Sequence, residues 1–428
     1  MPQHILLTGG EIVTATSVEP ADILIDGEII AAVGPHLDVP ADVPRIDISG
    51  LTVLPGLIDA HTHLREPGAT HKEDFTSGTR AALAGGVTTV FAMPNTDPPI
   101  TDRATFEQAA SLAASKAVCD VGLYIGAMHD NAAEAAALSD RAIGLKMYMG
   151  SSTGSLLVDK FASQFAHFAA YPHDRILAVH AEDEQAVQYY VAQGEHRPPI
   201  CAALAVARAI ALAEQTDRRL HVCHVSTPYE LQLIRDAKER GARITAEVCP
   251  HHLFLSTADR ARLGPYGKVN PPLRSPESVA ALWDLLSVAD TVGTDHAPHT
   301  RPEKDGAQPP SGMPGLEAML PLLLTAVHDG HLTLPNVVRL TASRPAELFA
   351  LSGKGRVAPG FSADLALVDL TEAWTLTKGD LFTRCGWSPY EGRSLRGRVK
   401  QTYLRGQLAY NGGDVLVDPG YGRLIAPA

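Results

Sequence analysis

The chain has 428 residues, of which 45% are hydrophobic and 20% charged, and a formal net charge of −12. Such a length suits one large α/β unit with an appendage rather than one small core, and the acidic balance argues against nucleic-acid binding. Five scattered cysteines, Cys119, Cys201, Cys223, Cys249 and Cys385, form no disulfide framework. Met1-Pro2-Gln3-His4 opens no basic leader, and no uninterrupted apolar run reaches membrane-spanning length, so a reducing cytoplasm and no membrane contact are expected.

Residues 1–55 carry short apolar segments broken by glycine: Ile5-Leu6-Leu7, Glu11-Ile12-Val13, Ile23-Leu24-Ile25 and Ile29-Ile30-Ala31. They read as a small antiparallel β unit. From Gly56 to Leu351 apolar strands alternate with helical stretches. The strands are expected at Leu57–His63, Thr88–Met93, Val121–Gly126, Gly144–Met149, Ile176–His180, Leu220–Val225, Ile244–Val248 and Thr291–His296. Helices are expected at Asp74–Ala84, Phe106–Ala114, Ile200–Glu214, Pro228–Arg240 and Glu277–Leu286. Roughly eight strand-then-helix units describe a (β/α)8 barrel of the TIM type. After Lys354 short strands return at Asp364–Val368, Val399–Leu404 and Gln407–Tyr410. The expected α/β architecture is therefore a barrel over residues 56–351, with a small β-sandwich domain built from residues 1–55 and 352–428. The Pro/Gly-rich stretch Arg301–Pro314 reads as a loop over the barrel mouth.

Barrel enzymes keep their chemistry at the C-terminal ends of the strands. His61 and His63, two residues apart, project to one side of the first strand's end and suit a divalent metal. Arg65 follows in the same phase and offers a carboxylate-binding fork. Lys146 lies in the fourth strand, His180 ends the fifth, His224 lies in the sixth and Asp295 ends the eighth. Any one of these alone reads more readily as a satisfied polar residue; together, at successive strand ends, they read as a metal centre. An ammonium at Lys146 beside cations would be repelled. A neutral lysine that takes up CO₂ becomes an anionic carbamate able to bridge two metals. The alternative is a Lys146 paired with a carboxylate such as Glu182, and for Arg65 an ion pair with Glu66.

Several segments carry a family resemblance: Asp59–Gly68, Met93-Pro94-Asn95-Thr96, Gly144–Met149, Glu247–Ser256, Thr294–His299, Pro314–Pro321 and Pro419-Gly420-Tyr421-Gly422. The chain resembles an amidohydrolase-superfamily dihydroorotase over essentially its whole length, and is similar to the dihydroorotase domain of the animal multifunctional pyrimidine-synthesis protein. The resemblance implies one metal held by His61, His63, carbamylated Lys146 and Asp295, and a second held by the carbamate, His180 and His224. A hydroxide would lie between them, with Asp295 as general acid/base. Two Zn²⁺ per chain are expected, since imidazole-rich sites suit zinc, with Mn²⁺ or Co²⁺ able to substitute. The implied reaction is the reversible hydrolysis of (S)-dihydroorotate to N-carbamoyl-L-aspartate in de novo pyrimidine synthesis.

Arg65, Asn95 and His299 are the residues that the resemblance sets around the substrate carboxylate. They separate this reading from allantoinases and dihydropyrimidinases, which share the metal set but take substrates without that carboxylate. Asn270 stands where the animal domain has an additional Arg; it is either a hydrogen-bonding partner of the ring amide or a structural residue of the Asn-Pro-Pro turn. Gly150–Ser155 reads as a mobile active-site loop, with Thr153 as the residue that touches substrate, or as a plain surface turn. Cys223 and Glu247 either share His224 with a third metal or serve as a small core residue and a carboxylate that orients a ligand histidine. His251 and His252 are expected near the site; His4, His36, His167, His173, His328 and His331 are expected at the surface or in local caps. A homodimer is expected, and a complex with aspartate carbamoyltransferase is compatible with the resemblance. A non-catalytic dihydroorotase-like partner of that transferase is the remaining reading, but such a chain would have lost ligands, and none is missing here.

Overall fold

The computed structural model describes residues 4–428. Its strands are β1 (His4–Val13), β2 (Val18–Asp26), β3 (Ile29–Gly34), β4 (Arg45–Asp47), β5 (Thr52–Pro55), β6 (Leu57–Thr62), β7 (Val87–Ala92), β8 (Asp120–Gly126), β9 (Gly144–Tyr148), β10 (Leu177–His180), β11 (Leu220–Val225), β12 (Ile244–Val248), β13 (Thr291–Val292), β14 (Leu365–Thr375), β15 (Ser394–Leu404), β16 (Gln407–Tyr410) and β17 (Leu424–Ile425).

Strands β6 to β13 pair in chain order, each parallel to the next. The ring closes where Thr62 bridges His296 and the His63 N–H donates to the His296 carbonyl at 2.7 Å. This is the (β/α)8 barrel that the alternating texture predicts. Every residue of β6, β7, β8, β9, β11 and β12 is buried. A parallel sheet covered on both faces needs such continuous apolar runs. The helices start and stop on local chemistry: Asp74 caps Phe75–Ala84 and Asp102 caps Arg103–Lys116, each by a reciprocal capping box. The helix Pro199–Thr216 is long and apolar enough by composition to cross a bilayer, but it packs Ala205, Val206 and Ala209 into the barrel core.

One barrel element is shorter than expected. The eighth strand keeps only Thr291–Val292 in regular pairing, and beyond it His296 alone forms isolated bridges. Asp295 takes a left-handed φ of +48° there, which turns its carboxylate out of the ladder and into the barrel mouth.

The terminal strands form a second sheet in the order β16-β15-β14-β5-β1-β2-β3, with β4 on β1. The two segments expected at Ile5–Leu7 and Glu11–Val13 belong to one strand, bulged between Leu7 and Gly10, where Gly9 adopts a φ of +81°. β1 also runs parallel to β4 and β5, so the unit is mixed rather than purely antiparallel. The far strand β3 bridges back to Ser362, just before β14, so the sheet folds over its own apolar face. Leu7, Ile12, Ile23, Ile25, Ile30, Leu365 and Leu367 fill the enclosed core. At its barrel-facing end, half-buried Lys354 donates to Asp120 of β8 at 2.8 Å and to Asp364 at 2.6 Å, while Arg405 pairs with Asp120 as well. β17, which the sequence gives no pattern for, lies parallel to β8.

Candidate active site

Strand alternation brings Asp59, His61 and His63 to one face of β6. Asp59 accepts from the His61 and Thr294 backbone N–H groups at 3.1 and 3.0 Å and from the Thr294 hydroxyl at 2.5 Å. It thereby ties the first strand's end to the turn that presents Asp295. His61 Nε2 lies 3.3 Å and His63 Nε2 3.0 Å from Asp295 Oδ1, and one donor atom from each of the three residues falls within 4.8 Å of the others. Across the mouth, His180 Nδ1 faces His224 Nε2 at 3.0 Å. Lys146 is fully buried between these groups, with Nζ 3.1 Å from Cys223 Sγ and above the Tyr148 ring.

The outer nitrogens of these histidines are held by other groups. Glu247 Oε1 sits 2.7 Å from His61 Nδ1, which leaves Nε2 to face the cavity, and it also accepts the His224 backbone N–H at 3.2 Å. A Cβ at Gly293 would overlap the Glu247 carboxylate, so only glycine lets that carboxylate reach His61. His63 Nδ1 bonds Asn95 Oδ1 at 2.6 Å, and Asn95 Nδ2 donates to the Thr153 carbonyl at 2.9 Å. Carboxylates and amides behind imidazoles set tautomer and ring direction, as outer partners of metal-bound histidines do. Burial pushes His63 down to about 4 against the pull of Asp295. Burial alone would raise Asp295, but the His61 and His63 imidazoles hold it well below the usual carboxylate range.

The converging nitrogens and carboxylate fit a divalent cation of imidazole preference. Lys146 supports the fit by its isolation. Among the described residues no carboxylate lies within ion-pair distance of its Nζ, because Glu182 is taken by Arg197 and lies 3.3 Å from His180 Nε2. A buried ammonium in that setting would carry a desolvation cost of several kcal/mol with no partner to offset it.

His61, His63, His180, His224 and Asp295 wall a cavity together with Arg65, Asn95, Tyr148, Ser152, Thr153, Asn270, Ser311 and Gly312. Arg65, buried and at a φ of +61°, donates from Nε to the Pro298 carbonyl at 3.1 Å and lies 3.2 Å from His299 Nε2 through Nη2. It makes no pair with Glu66, whose carboxylate binds Lys116 and the Phe75 N–H. Burial and the charges of Arg65, Lys72 and Lys304 push His299 far below the ordinary imidazole value, so it stays neutral. Thr153 Oγ1 donates to the Ser311 carbonyl at 3.3 Å, and Asn270 Oδ1 is buried without a partner beside the cavity.

The residues expected at the site thus meet in one place: His61, His63, Arg65, Asn95, Thr153, His180, His224, Asn270 and Asp295 all line the cavity, with Lys146 and His299 directly behind it. Cys223 and Glu247 lie within ligating distance of His61, whereas Glu247 meets His224 only through its backbone. His251 and His252 are buried just beyond, and His252 Nε2 bonds the Pro271 carbonyl at 3.0 Å. His71 points away to Glu303 at 3.5 Å. His167, expected near the surface, is buried and bonds the Met128 carbonyl at 2.7 Å, because its helix turns that face toward the barrel. Sequence reasoning passed over Tyr148, Arg197, Lys304 and Ser311, and it weighed Glu182 only as a partner of Lys146, whereas that carboxylate pairs with Arg197. Tyr148 was legible, since it stands two residues beyond Lys146 and shares its face of β9; the others lie on connections without periodic signal.

The model of the amidohydrolase family matches residues 52–409. The chain is 43% identical over 397 residues to the multifunctional protein CAD of Squalus acanthias, an overlap that covers 92% of this chain and 16% of that protein. It is 40% identical over 408 residues to the dihydroorotase of Halobacterium salinarum, covering 92% and 94% of the two chains. Among solved structures, the L-hydantoinase (dihydropyrimidinase) of Arthrobacter aurescens superposes with a TM-score of 0.93 at 30% identity, over 99% of each chain. The chain belongs to the amidohydrolase family and, within it, to the group of the relatives named dihydroorotase.

Proposed function

We propose that this protein is a metal-dependent dihydroorotase that interconverts (S)-dihydroorotate and N-carbamoyl-L-aspartate. The observation that carries the choice of substrate is Arg65. A guanidinium buried in the wall of the cavity, with no carboxylate at ion-pair distance among the described residues, is costly unless the substrate brings an anion. Neutral His299 beside it and Asn95 across the mouth add hydrogen bonds. The relatives named dihydroorotase support the same reading. The likeness to a hydantoinase favours a dihydropyrimidinase-type substrate as the second reading. That reading leaves Arg65 unpaired.

In this reading His61, His63, Asp295, His180, His224 and a carbamylated Lys146 hold two Zn²⁺. The metals would supply a water nucleophile at neutral pH and polarise the ring amide carbonyl. The chain's own residues do the rest. Arg65, Asn95 and His299 fix the substrate carboxylate and present one face of the amide to the metal side of the cavity. Asp295 Oδ1, beside both His61 and His63, takes the proton of the attacking water and passes it to the ring nitrogen as the amide C–N bond breaks. Thr153 closes over the cavity from the Gly150–Ser155 loop and limits water. Glu247 orients His61, and this outweighs a third metal at Cys223. The same proposal extends to a homodimer and to association with aspartate carbamoyltransferase, supported by the match of this chain to 16% of a multifunctional protein. Sedimentation of the protein alone and mixed with the transferase tests both.

The deciding assay offers the zinc-loaded protein dihydroorotate, allantoin and dihydrouracil in parallel and measures ring opening. Dihydroorotate alone should open. Opening of dihydrouracil or allantoin instead would keep the hydrolase and discard the substrate.

A further inference from the structure

Arg197 lies in the turn between the helices Glu184–Ala192 and Pro199–Thr216, is 6% exposed, and holds a left-handed φ of +49° without being glycine. Such a conformation persists where its surroundings hold it. Here the hold is visible: Arg274 Nη1 donates to the Arg197 carbonyl at 2.8 Å, and Arg274 is itself anchored on Ser226. The Arg197 side chain then divides. Nη1 donates to Glu182 Oε2 at 2.5 Å, and Nη2 donates to the Ser151 carbonyl at 2.6 Å and to the Ser151 hydroxyl at 3.1 Å.

Each end leads to the cavity. Glu182 Oε2 is 3.3 Å from His180 Nε2, and the other nitrogen of that ring faces His224. Ser151 begins the loop that carries Thr153, and its N–H is held by Glu184 Oε2 at 2.6 Å, so both backbone polar groups of this residue are clamped from the fifth barrel unit. A Cβ at Gly150 would strike the Glu182 carbonyl, which keeps the loop base pressed against the end of β10.

We infer that Arg197 is a positioning residue that couples the Gly150–Ser155 loop to the His180 imidazole, so that the loop's seating and the metal ligand's orientation depend on one guanidinium. The inference rests on His180 being a metal ligand and on the loop covering substrate. A planar fork can serve Glu182 and Ser151 at once; an ammonium can keep Glu182 but has no second arm for Ser151.

The test uses the full chain and the substitutions Arg197→Met and Arg197→Lys. Three quantities are read: amide hydrogen exchange of residues 150–155, the rate at which a chelator removes zinc, and kcat and KM for dihydroorotate. Arg197→Met should speed exchange at Ser151–Thr153 about ten-fold and zinc release about ten-fold, the size of effect that outer partners of metal ligands carry, with kcat reduced. Arg197→Lys should restore slow zinc release while exchange in the loop stays fast. Unchanged exchange and zinc release in Arg197→Met would overturn the coupling, as would exchange raised alike throughout the barrel in both variants. A parent protein that opens no dihydroorotate would defeat the proposed activity, whereas the exchange and zinc measurements would still decide the role of Arg197.

Discussion

Single side chains in this protein are defined by what lies behind them. His61 acquires a direction from Glu247, His63 from Asn95, and Asp295 from a backbone turned into the left-handed region. Arg65 is the reverse case: it is braced on the Pro298 carbonyl and its remaining donors face the cavity beside His299. Arg65→Met removes charge-assisted hydrogen bonds worth about 1.5–3 kcal/mol while leaving every nitrogen and oxygen donor of the candidate metal cluster in place. KM for dihydroorotate should rise about ten- to hundred-fold, with metal content unchanged on elemental assay. An unaltered KM would remove Arg65 from the substrate site. The histidines, Lys146 and Asp295 were legible as a set because strand ends recur at regular intervals along the chain. Glu247 was legible only as an open alternative, since nothing in its own strand distinguishes a ligand from a support.

At the scale of elements, the barrel strands supply the floor of the site and two connections supply its roof. One is the Gly150–Ser155 loop. The other is the stretch after the short helix Arg301–Lys304, where Ser311 and Gly312 reach the cavity. Gly312 has a φ of +139°, and a Cβ there would meet the Ala297 carbonyl, so the roof lies closer to the eighth strand's end than another residue allows. Lys304 holds this connection from beneath. Its buried Nζ donates to the carbonyls of Pro310, Gly312 and Lys268 at 2.9, 3.0 and 3.3 Å. Burial, with Lys268 and Arg65 nearby, brings its pKa down to about 7. Lys304→Met would strand those carbonyls at a cost of about 1–3 kcal/mol. Because the Ser311 carbonyl meets both His299 and Thr153, KM should rise as well. Urea unfolding and steady-state kinetics check the pair; a variant that is destabilised with its KM untouched would show that the roof does not position substrate. The loop at Arg301–Pro314 was expected from its prolines and glycines, but the lysine tucked beneath it was not, because Lys304, unlike Lys146, stands in no apolar strand that would mark it as buried.

The whole molecule joins two sheets through a few buried charges. Asp120 opens β8 of the barrel, Asp364 precedes β14, and Lys354 and Arg405 lie between them. Burial opposes the charge on each, yet the partners prevail: Lys354 and Arg405 hold Asp120 below its ordinary 3.8, and Asp364 and Asp120 hold Lys354 above its ordinary 10.5. A depressed carboxyl gives stability that is present above 3.8 and lost as pH falls through its folded value. A raised ammonium gives stability that is present below 10.5 and lost as pH rises through its folded value. The network is therefore complete across the neutral range. Lys354→Met leaves buried carboxylates short of a partner and should cost about 3–5 kcal/mol at pH 7 in urea unfolding. The difference from the parent should shrink as pH falls below 3.8 toward the depressed folded value of Asp120; a difference independent of pH would refute the charge network as its source.

The succession of barrel strands, and the placing of the candidate site residues at their ends, were determined by the sequence itself, because burial on both faces of a parallel sheet demands apolar runs whose period and polar endings can be read along the chain. The partners of those residues were decided only by the tertiary structure. His61 and Glu247 are 186 residues apart, Arg65 and His299 234, and Lys354 and Asp120 also 234. No local pattern encodes such pairings; they exist because barrel closure and the folding-over of the terminal sheet bring distant strand ends within hydrogen-bonding distance.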